Sequence, residues 1–200
     1  MPAHMVNAYY NPQKNLIVFP AAILQAPFYD LHQSSSANYG GIGAVIAHEI
    51  SHAFDTNGAS FDENGSLKDW WTESDYAAFK EKTQKVIDQF DGQESYGARI
   101  NGKLTVSENV ADLGGIAAAL EAAKRELDFS AEEFFHNFAR IWRMKGRPEL
   151  MKLMASVDVH APAKLRVNVQ VPNFDDFFTT YDVKEGDGMW RSPEDRVIIW

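Results

Sequence analysis

The segment that decides the fold is His48-Glu49-Ile50-Ser51-His52, which lies in a run of residues spaced for a helix. On a helix, residues four apart lie one above the other, so the imidazoles of His48 and His52 share one face. Both can then reach one metal ion, and Glu49 lies beside them, where a carboxylate can act as a general base for water. The opposite side of the helix is apolar and comprises Ile46, Ile50 and Ala53. The pattern therefore predicts a helix whose polar side is directed inward.

The same five-residue pattern also arises by chance, in about one in a hundred chains of this length at ordinary residue frequencies. The pattern alone leaves a metal site and a chance match both open. Because the chain contains no cysteine, any metal must be held by histidine, aspartate or glutamate.

A third metal ligand is available in the segment Glu108-Asn109-Val110-Ala111-Asp112. On a helix, Glu108 can bind the metal, while Asp112, one turn later, can accept the remaining N–H of a ligand imidazole and fix its tautomer. The alternative is purely local, since Thr105 and Glu108 also have the spacing of a capping box at a helix start.

Hydrophobic periodicity predicts a single domain of the α+β class, mostly α with a small β portion. Two β-favouring stretches flank the turn at residues 11–15, which predicts a hairpin, and residues 32–38 and 91–103 are predicted as loops. Gly114 and Gly115 lie inside a helical pattern at a cost of roughly 1 kcal/mol each, which predicts close approach of another helix. The predicted helices are the motif helix ending near Gly58 and residues 72–90, 105–127, 130–145, 148–157 and about 174–180.

Composition excludes some classes of partner. The formal net charge of -9 and the pI near 5.1 argue against binding to nucleic acid, whose phosphates require a basic surface. No apolar run approaches the roughly 18 residues of a membrane span, and the first residues lack the pattern of a signal peptide. We therefore expect no nucleic acid and no membrane partner.

Several segments together resemble the neprilysin family of zinc endopeptidases, and the resemblance covers essentially the whole chain. So many matches in one order make coincidence negligible. The matching segments are Val6-Asn7-Ala8-Tyr9-Tyr10, Ile17-Val18-Phe19-Pro20-Ala21, Asn38-Tyr39-Gly40-Gly41-Ile42-Gly43, His48 to His52, Asp69-Trp70-Trp71, Glu108 to Asp112, Asp158-Val159-His160-Ala161-Pro162, and Arg166.

The resemblance implies a zincin-like (thermolysin-like) metallopeptidase catalytic domain that binds one zinc ion per chain. It implies that Glu49 activates the attacking water and that Asp112 orients His48, in agreement with the spacing. The zinc ligands that it implies are His48, His52 and Glu108.

Further roles rest on the resemblance alone. It implies that Asn7 and the main chain of Ala8 hold the substrate as an added strand. It also implies that His160 stabilises the oxyanion of the intermediate, that Asp158 orients His160, and that Arg166 grips a substrate carbonyl. From the residues alone, a histidine in a loop and a lone arginine are typical of a solvated surface.

The family places large side chains that follow the cleaved bond in an apolar pocket. The corresponding residues here are Phe28, Val45, Ile141 and Trp142. Residues of these types at helical spacing are also typical of a core, to which Phe134, Phe135, Phe138 and Ile141 are predicted to contribute. Both interpretations remain open from the sequence.

Two departures from the family affect the prediction. Family members are usually several times longer, so we expect a missing N-terminal, mostly helical portion of the same enzyme as a partner of this chain. Secreted relatives carry a cysteine three residues before the last tryptophan, where this chain has Val197. The difference favours a bacterial, cytoplasmic location.

The sequence thus predicts a zinc-dependent endopeptidase that hydrolyses internal bonds of small peptides, on the amino side of large apolar residues. One alternative is a thermolysin-like peptidase, which shares the histidines and the downstream glutamate. Another is a zinc- and peptide-binding module without turnover. A third is a helical interaction domain whose metal residues bind nothing.

Overall fold

The structure, a computed structural model, describes residues 1–200 and is mostly helical with four short strands. The chain forms two compact units, the first from Met1–Trp71 with Ala111–Ile141 and the second from Thr72–Val110 with Trp142–Trp200. Helix α4 (Gly102–Ala123) is continuous and contributes its first half to the second unit and its remainder to the first. None of the helices combines the length and the apolar character that a bilayer crossing requires.

The first unit begins with the predicted hairpin. Tyr9 lies opposite Val18 in an antiparallel pair, and Asn15 closes the turn in the left-handed conformation at φ 44°. The first strand begins at Tyr9 rather than at Val6, so Asn7 and Ala8 precede it. Besides part of α4, this unit contains β1 (Tyr9–Asn11), β2 (Leu16–Val18), α1 (Ser35–Asn38), α2 (Ala44–Ser51) and α5 (Ala131–Ile141).

The segment before the histidine motif is helical, and its prediction as a loop to residue 38 is wrong. The hydroxyl oxygen of Ser34 accepts a hydrogen bond from the Ala37 N–H at 3.2 Å and so caps α1. The glycine run continues as a π-helical stretch, Tyr39–Gly43, directly into α2. A Cβ at Gly40 would collide with the carbonyl of Phe134, so the glycine allows α5 to pack on this stretch.

Helix α2 directs its polar side inward, as predicted. His48 and Glu49 are buried, whereas Ile46 and Ile50 on the opposite side are 37% and 49% exposed. A Cβ at Gly115 of α4 would lie 2.8 Å from the His48 backbone nitrogen and 2.9 Å from the Ala44 carbonyl oxygen. The predicted close helix approach is therefore confirmed at Gly115, where α4 lies directly on the backbone of α2.

The second unit contains two elements that the sequence pattern did not reveal. The predicted loop at 91–103 contains a hairpin whose two strands have two residues each. Residues Ala163–Asn168 form a helix that is too short to show a hydrophobic period in the sequence. The elements of this unit besides the start of α4 are α3 (Glu73–Phe90), β3 (Glu94–Ser95), β4 (Ala98–Arg99), α6 (Pro148–Val157), α7 (Ala163–Asn168) and α8 (Asp175–Tyr181).

Helix α4 begins three residues earlier than predicted. The side-chain oxygen of Asn101 accepts from the Lys103 and Leu104 N–H groups at 3.0 and 3.1 Å, which caps the helix at Gly102. The capping-box interpretation of Glu108 is therefore wrong. Glu108 lies in the second turn of the helix, where its side chain has no capping function.

Each unit has its own apolar core. In the first, the three phenylalanines of α5 are buried, as the spacing predicted, and so are apolar residues of the later part of α4; the residues are Leu113, Ile116, Leu120, Phe134, Phe135 and Phe138. At the edge of the second, Trp200, which is 47% exposed, stacks on the buried Phe79 at 5.8 Å between ring centroids. The most buried side chains of that core include Val86, Phe90, Ile100, Val110, Leu165, Val171, Val197 and Ile199.

We expect Thr72→Ala to lower the free energy of unfolding by about 1 kcal/mol at neutral pH, because Thr72 caps α3 in a reciprocal capping box with Asp75. The side-chain hydrogen bond with Thr72 also lowers the pKa of Asp75 below its ordinary value of 3.8. Stability from a depressed carboxyl pKa is present above the unfolded value and is lost as the pH falls through the folded one.

Urea unfolding of the wild type and of Thr72→Ala, measured from neutral to acidic pH, would therefore show a difference in unfolding free energy that narrows below pH 3.8. A difference independent of pH would exclude the contribution of Asp75.

Candidate metal centre

Three side chains converge on one position. His48 and His52 lie at α2 and its 3-10 extension (His52–Phe54), and Glu108 lies on α4. One potential ligand atom from each lies within 4.8 Å of the other two. The two imidazole rings are 4.6 Å apart between centroids and nearly perpendicular, at 85°. Two imidazoles and one carboxylate are the ligand set of a catalytic zinc site with three protein ligands, so these residues fit zinc.

His48 is oriented by a buried carboxylate. Its Nδ1 lies 2.9 Å from an Asp112 carboxylate oxygen, and both side chains are almost fully buried. Because an ionised carboxylate only accepts, Nδ1 carries the proton and Nε2 keeps the lone pair that a metal requires. Asp112 follows Glu108 by one turn of α4, so one helix carries both a predicted metal ligand and the carboxylate that orients His48.

His52 has an equivalent support that the sequence reasoning missed. Its Nδ1 lies 2.6 Å from a carboxylate oxygen of Asp55, which is 2% exposed. The second Asp55 oxygen accepts from the N–H groups of Asn57 and Gly58, each at 2.7 Å, so the carboxylate is held in place. The signal in the sequence was the spacing of Asp55, one helical turn after His52.

Glu49 is the next residue after His48 on α2 and is 5% exposed. A carboxylate at this depth is costly unless it interacts with positive charge or with hydrogen-bond donors. Its position beside the first histidine ligand places an acid–base group at the edge of the metal centre.

His160 is paired on both ring nitrogens. Its Nε2 lies 3.1 Å from a Glu108 carboxylate oxygen, and its Nδ1 lies 2.9 Å from Asp158. The hydrogen bond with Glu108 raises the pKa of His160; burial and the charge of Arg166 oppose this, and Asp158 reinforces it. A loop histidine that sequence alone would leave in solvent is therefore fixed next to a predicted zinc ligand.

Arg166 is buried, at 7% exposure, and the central carbon of its guanidinium lies 3.7 Å from the ring centroid of Trp142. The prediction of a surface arginine from the residue type alone is therefore wrong. Trp142, predicted as a pocket residue, presents a ring face to this cation.

The other predicted pocket residues lie together. Val45 belongs to a buried apolar cluster with Ala8, Ile23 and Ile42, and Phe19, Phe28 and Ile141 pack against that cluster. Three of the four predicted pocket residues, Phe28, Val45 and Ile141, therefore lie in or against the cluster that contains Ala8. Ala8 is the residue whose main chain is predicted to bind the substrate. Asn7, immediately before Ala8, is exposed, and its side-chain oxygen accepts from the Ala8 N–H at 3.0 Å.

A second residue that sequence reasoning missed is Gln170, which is fully buried. Its side-chain amide donates to the main-chain carbonyl of Asn109 at 2.8 Å. The bond joins the segment after α7 to the turn of α4 that carries Glu108. No sequence signal marks this residue, because a glutamine in an irregular segment is typical of solvent exposure.

A helix that carries two histidine ligands and a buried glutamate beside them is the arrangement found at zinc-metallopeptidase centres. The sequence profile of Peptidase family M13 matches residues 7–197, and the chain therefore belongs to that family. The resemblance to the neprilysin family is thereby confirmed, and zinc is the metal that the site binds in this family.

Relatives match the chain along its whole length. It is 62% identical over 200 residues, 100% of the chain, to a protein of Lactococcus lactis subsp. lactis (strain IL1403) called neutral endopeptidase, of which it covers 32%. The crystal structure of PepO from Lactobacillus rhamnosis HN001 superposes with a TM-score of 0.96 at 49% identity, covering 100% of this chain and 32% of that one.

A structure of the zinc metalloprotease Zmp1 of Mycobacterium tuberculosis in complex with an inhibitor gives a TM-score of 0.93 at 42% identity, covering 99% of this chain and 33% of that one. The chain thus spans about a third of the length of these relatives.

We expect Asp55→Asn to weaken zinc binding by about 10- to 100-fold, because ligand histidines depend on their hydrogen-bonded supports to this extent. Asp112→Asn is the matched variant at the other histidine and should have a loss of similar size. Chelator competition would measure both dissociation constants, and an unchanged constant for Asp55→Asn would exclude the supporting role of Asp55.

We also expect Gly115→Ala to lower zinc affinity at least tenfold, because the added Cβ would lie 2.8 Å from the His48 backbone nitrogen and would displace α2 from α4. Thr72→Ala is the control, since it removes stability far along the chain from the ligands. If both variants bound zinc equally well, the close helix approach would have no part in forming the site.

Proposed function

We propose that this chain is the catalytic domain of a zinc-dependent endopeptidase that hydrolyses internal bonds of small peptides, on the amino side of large apolar residues. The observation that carries the proposal is the convergence of His48, His52 and Glu108, with both histidines oriented by buried carboxylates. Membership of Peptidase family M13 supports it, and the family profile spans residues 7–197. We propose a zincin-like fold for that domain.

One zinc ion per chain, held by His48, His52 and Glu108, would supply a Lewis acid that polarises the scissile carbonyl and lowers the pKa of water toward about 7. The chain contributes the rigidity of the ligands. Asp112 and Asp55 hold the two imidazoles in one tautomer and one orientation, so that little reorganisation is needed during the reaction.

In this proposal Glu49 transfers the protons. Its carboxylate takes a proton from the attacking water and returns it to the nitrogen of the leaving amine. The carboxylate is 5% exposed and follows the predicted ligand His48 directly in the chain.

His160 and Arg166 are proposed to stabilise the negative charge that develops on the scissile carbonyl oxygen. Asp158 fixes the ring of His160, because one of its carboxylate oxygens lies 2.9 Å from the His160 Nδ1. The other ring nitrogen, Nε2, then faces Glu108. Removal of one preorganised donor of this kind typically costs about 10²- to 10³-fold in kcat.

Substrate recognition is proposed at the front hairpin and the apolar cluster. Asn7 and the main chain of Ala8 precede β1, where an extended peptide can add as a further strand. The side chain that follows the cleaved bond would enter the apolar cluster, in contact with Phe28, Val45 and Ile141. The apolar character of these residues favours large apolar side chains at that position.

A second candidate is a zinc- and peptide-binding domain that does not turn over by itself. It is favoured by one fact, that the chain spans only about a third of the relatives it matches. In this case the missing N-terminal portion of the same enzyme would be needed to exclude water and complete the substrate contacts.

The bacterial, cytoplasmic location stays a prediction.

We expect Glu49→Gln to abolish hydrolysis of a fluorogenic peptide while zinc remains bound at one ion per chain, because the amide cannot accept the water proton. Glu81→Gln, at an exposed position of α3, is the matched control and should leave the rate unchanged. If Glu49→Gln hydrolysed the peptide at the wild-type rate, Glu49 would be excluded as the base.

The same assay on the wild-type chain separates the two candidate functions. Turnover that a chelator stops would support the peptidase, and zinc with peptide binding but no turnover would support the second candidate. A chain that bound no added zinc would contradict both.

A further inference from the structure

Trp142 and Arg166 form a close cation–aromatic contact in the second unit. The guanidinium carbon lies 3.7 Å from the Trp142 ring centroid, and Arg166 is 7% exposed. Trp142 directly follows the last residue of α5, and Arg166 lies in the last turn of α7. The contact therefore holds Arg166, a residue of the short helix α7, against Trp142, which lies 24 residues earlier in the chain.

The contact has a specific physical consequence for an arginine that has to bind a ligand. Arginine has many rotamers, and fixing one of them costs side-chain entropy. An aromatic face holds the guanidinium plane by cation–π attraction, while the N–H groups stay in that plane and point to its edge. A stacked arginine thus presents a preorganised donor edge.

The charge of Arg166 acts on His160, and His160 lies 3.1 Å from the predicted zinc ligand Glu108. In the proposed function, His160 and Arg166 together hold a substrate carbonyl. The order of the Arg166 side chain therefore decides how well a main-chain carbonyl can be held.

We propose that Trp142 is a positioning residue that holds the Arg166 guanidinium for a substrate main-chain carbonyl, rather than only a wall of the apolar pocket. The inference rests on the proposed function. It assigns adjacent residues to different tasks, because Ile141 packs against the apolar cluster and Trp142 supports the cation.

A double-mutant cycle on the zinc-loaded chain tests this assignment. We expect Trp142→Leu to lower kcat/KM for a fluorogenic peptide about tenfold, which corresponds to about 1.4 kcal/mol for a desolvated cation–π contact. In an Arg166→Met background the same substitution should change kcat/KM less than about twofold, because the cation is absent. Trp142→Phe keeps a ring face and should restore most of the loss.

Ile141→Ala is the matched control next in sequence. It should change the selectivity between peptides with phenylalanine and alanine after the cleaved bond, and this change should persist in the Arg166→Met background. Equal losses for Trp142→Leu in both backgrounds would overturn the inference and leave Trp142 as a pocket wall.

A measurement independent of activity separates this inference from the proposed function. The Arg166 side-chain protons should be shifted upfield in NMR spectra by the ring current of Trp142, with assignment by Arg166→Lys. The shift should disappear in Trp142→Leu and persist in part in Trp142→Phe. An unshifted Arg166 in the wild-type chain would overturn the inference even if the chain hydrolysed peptides. A shifted Arg166 in a chain without zinc or turnover would reject the proposed function and leave the stacked geometry intact.

Discussion

The site depends on the direct contact between α2 and α4. At Gly115 the two helices meet without an intervening side chain, and a Cβ there would lie 2.8 Å from the backbone of His48. This approach brings Asp112 within 2.9 Å of His48. The orientation of His48, a predicted metal ligand, thus follows from one packing contact.

The buried carboxylates of Asp112 and Asp55 beside this contact are acceptable because each has a partner. Asp112 and Asp55 each accept from an imidazole, and Asp55 also accepts from two backbone N–H groups. Isolated carboxylates at this depth would be protonated or would destabilise the fold. The same interactions that make burial possible fix the histidine tautomers, so stability and metal binding depend on the same hydrogen bonds.

The same principle extends to the side chains that would contact a substrate. Arg166 is removed from water by burial and compensated by the face of Trp142, and His160 is held between two carboxylates. Gln170 joins the segment after α7 to α4 through the carbonyl of Asn109. The donors proposed for the transition state are therefore held by their own contacts, which limits the reorganisation that catalysis would require.

The sequence by itself determined the metal-binding residue types, the four-residue spacing that places His48 and His52 on one face, and most helices, including α6 with its predicted limits. These features depend on local periodicity, which a sequence records directly. One local signal failed because another cap lies upstream: Thr105 and Glu108 have capping-box spacing, but Asn101 caps α4 instead.

Only the tertiary structure decided that Asp55 supports His52, that Arg166 is buried, and that Trp142 meets the cation while Ile141 meets the apolar cluster. The spacing of Asp55 offered a hint, but its burial did not follow from it. Contacts between residues distant in the chain depend on how whole helices pack, and composition and spacing carry no record of that packing.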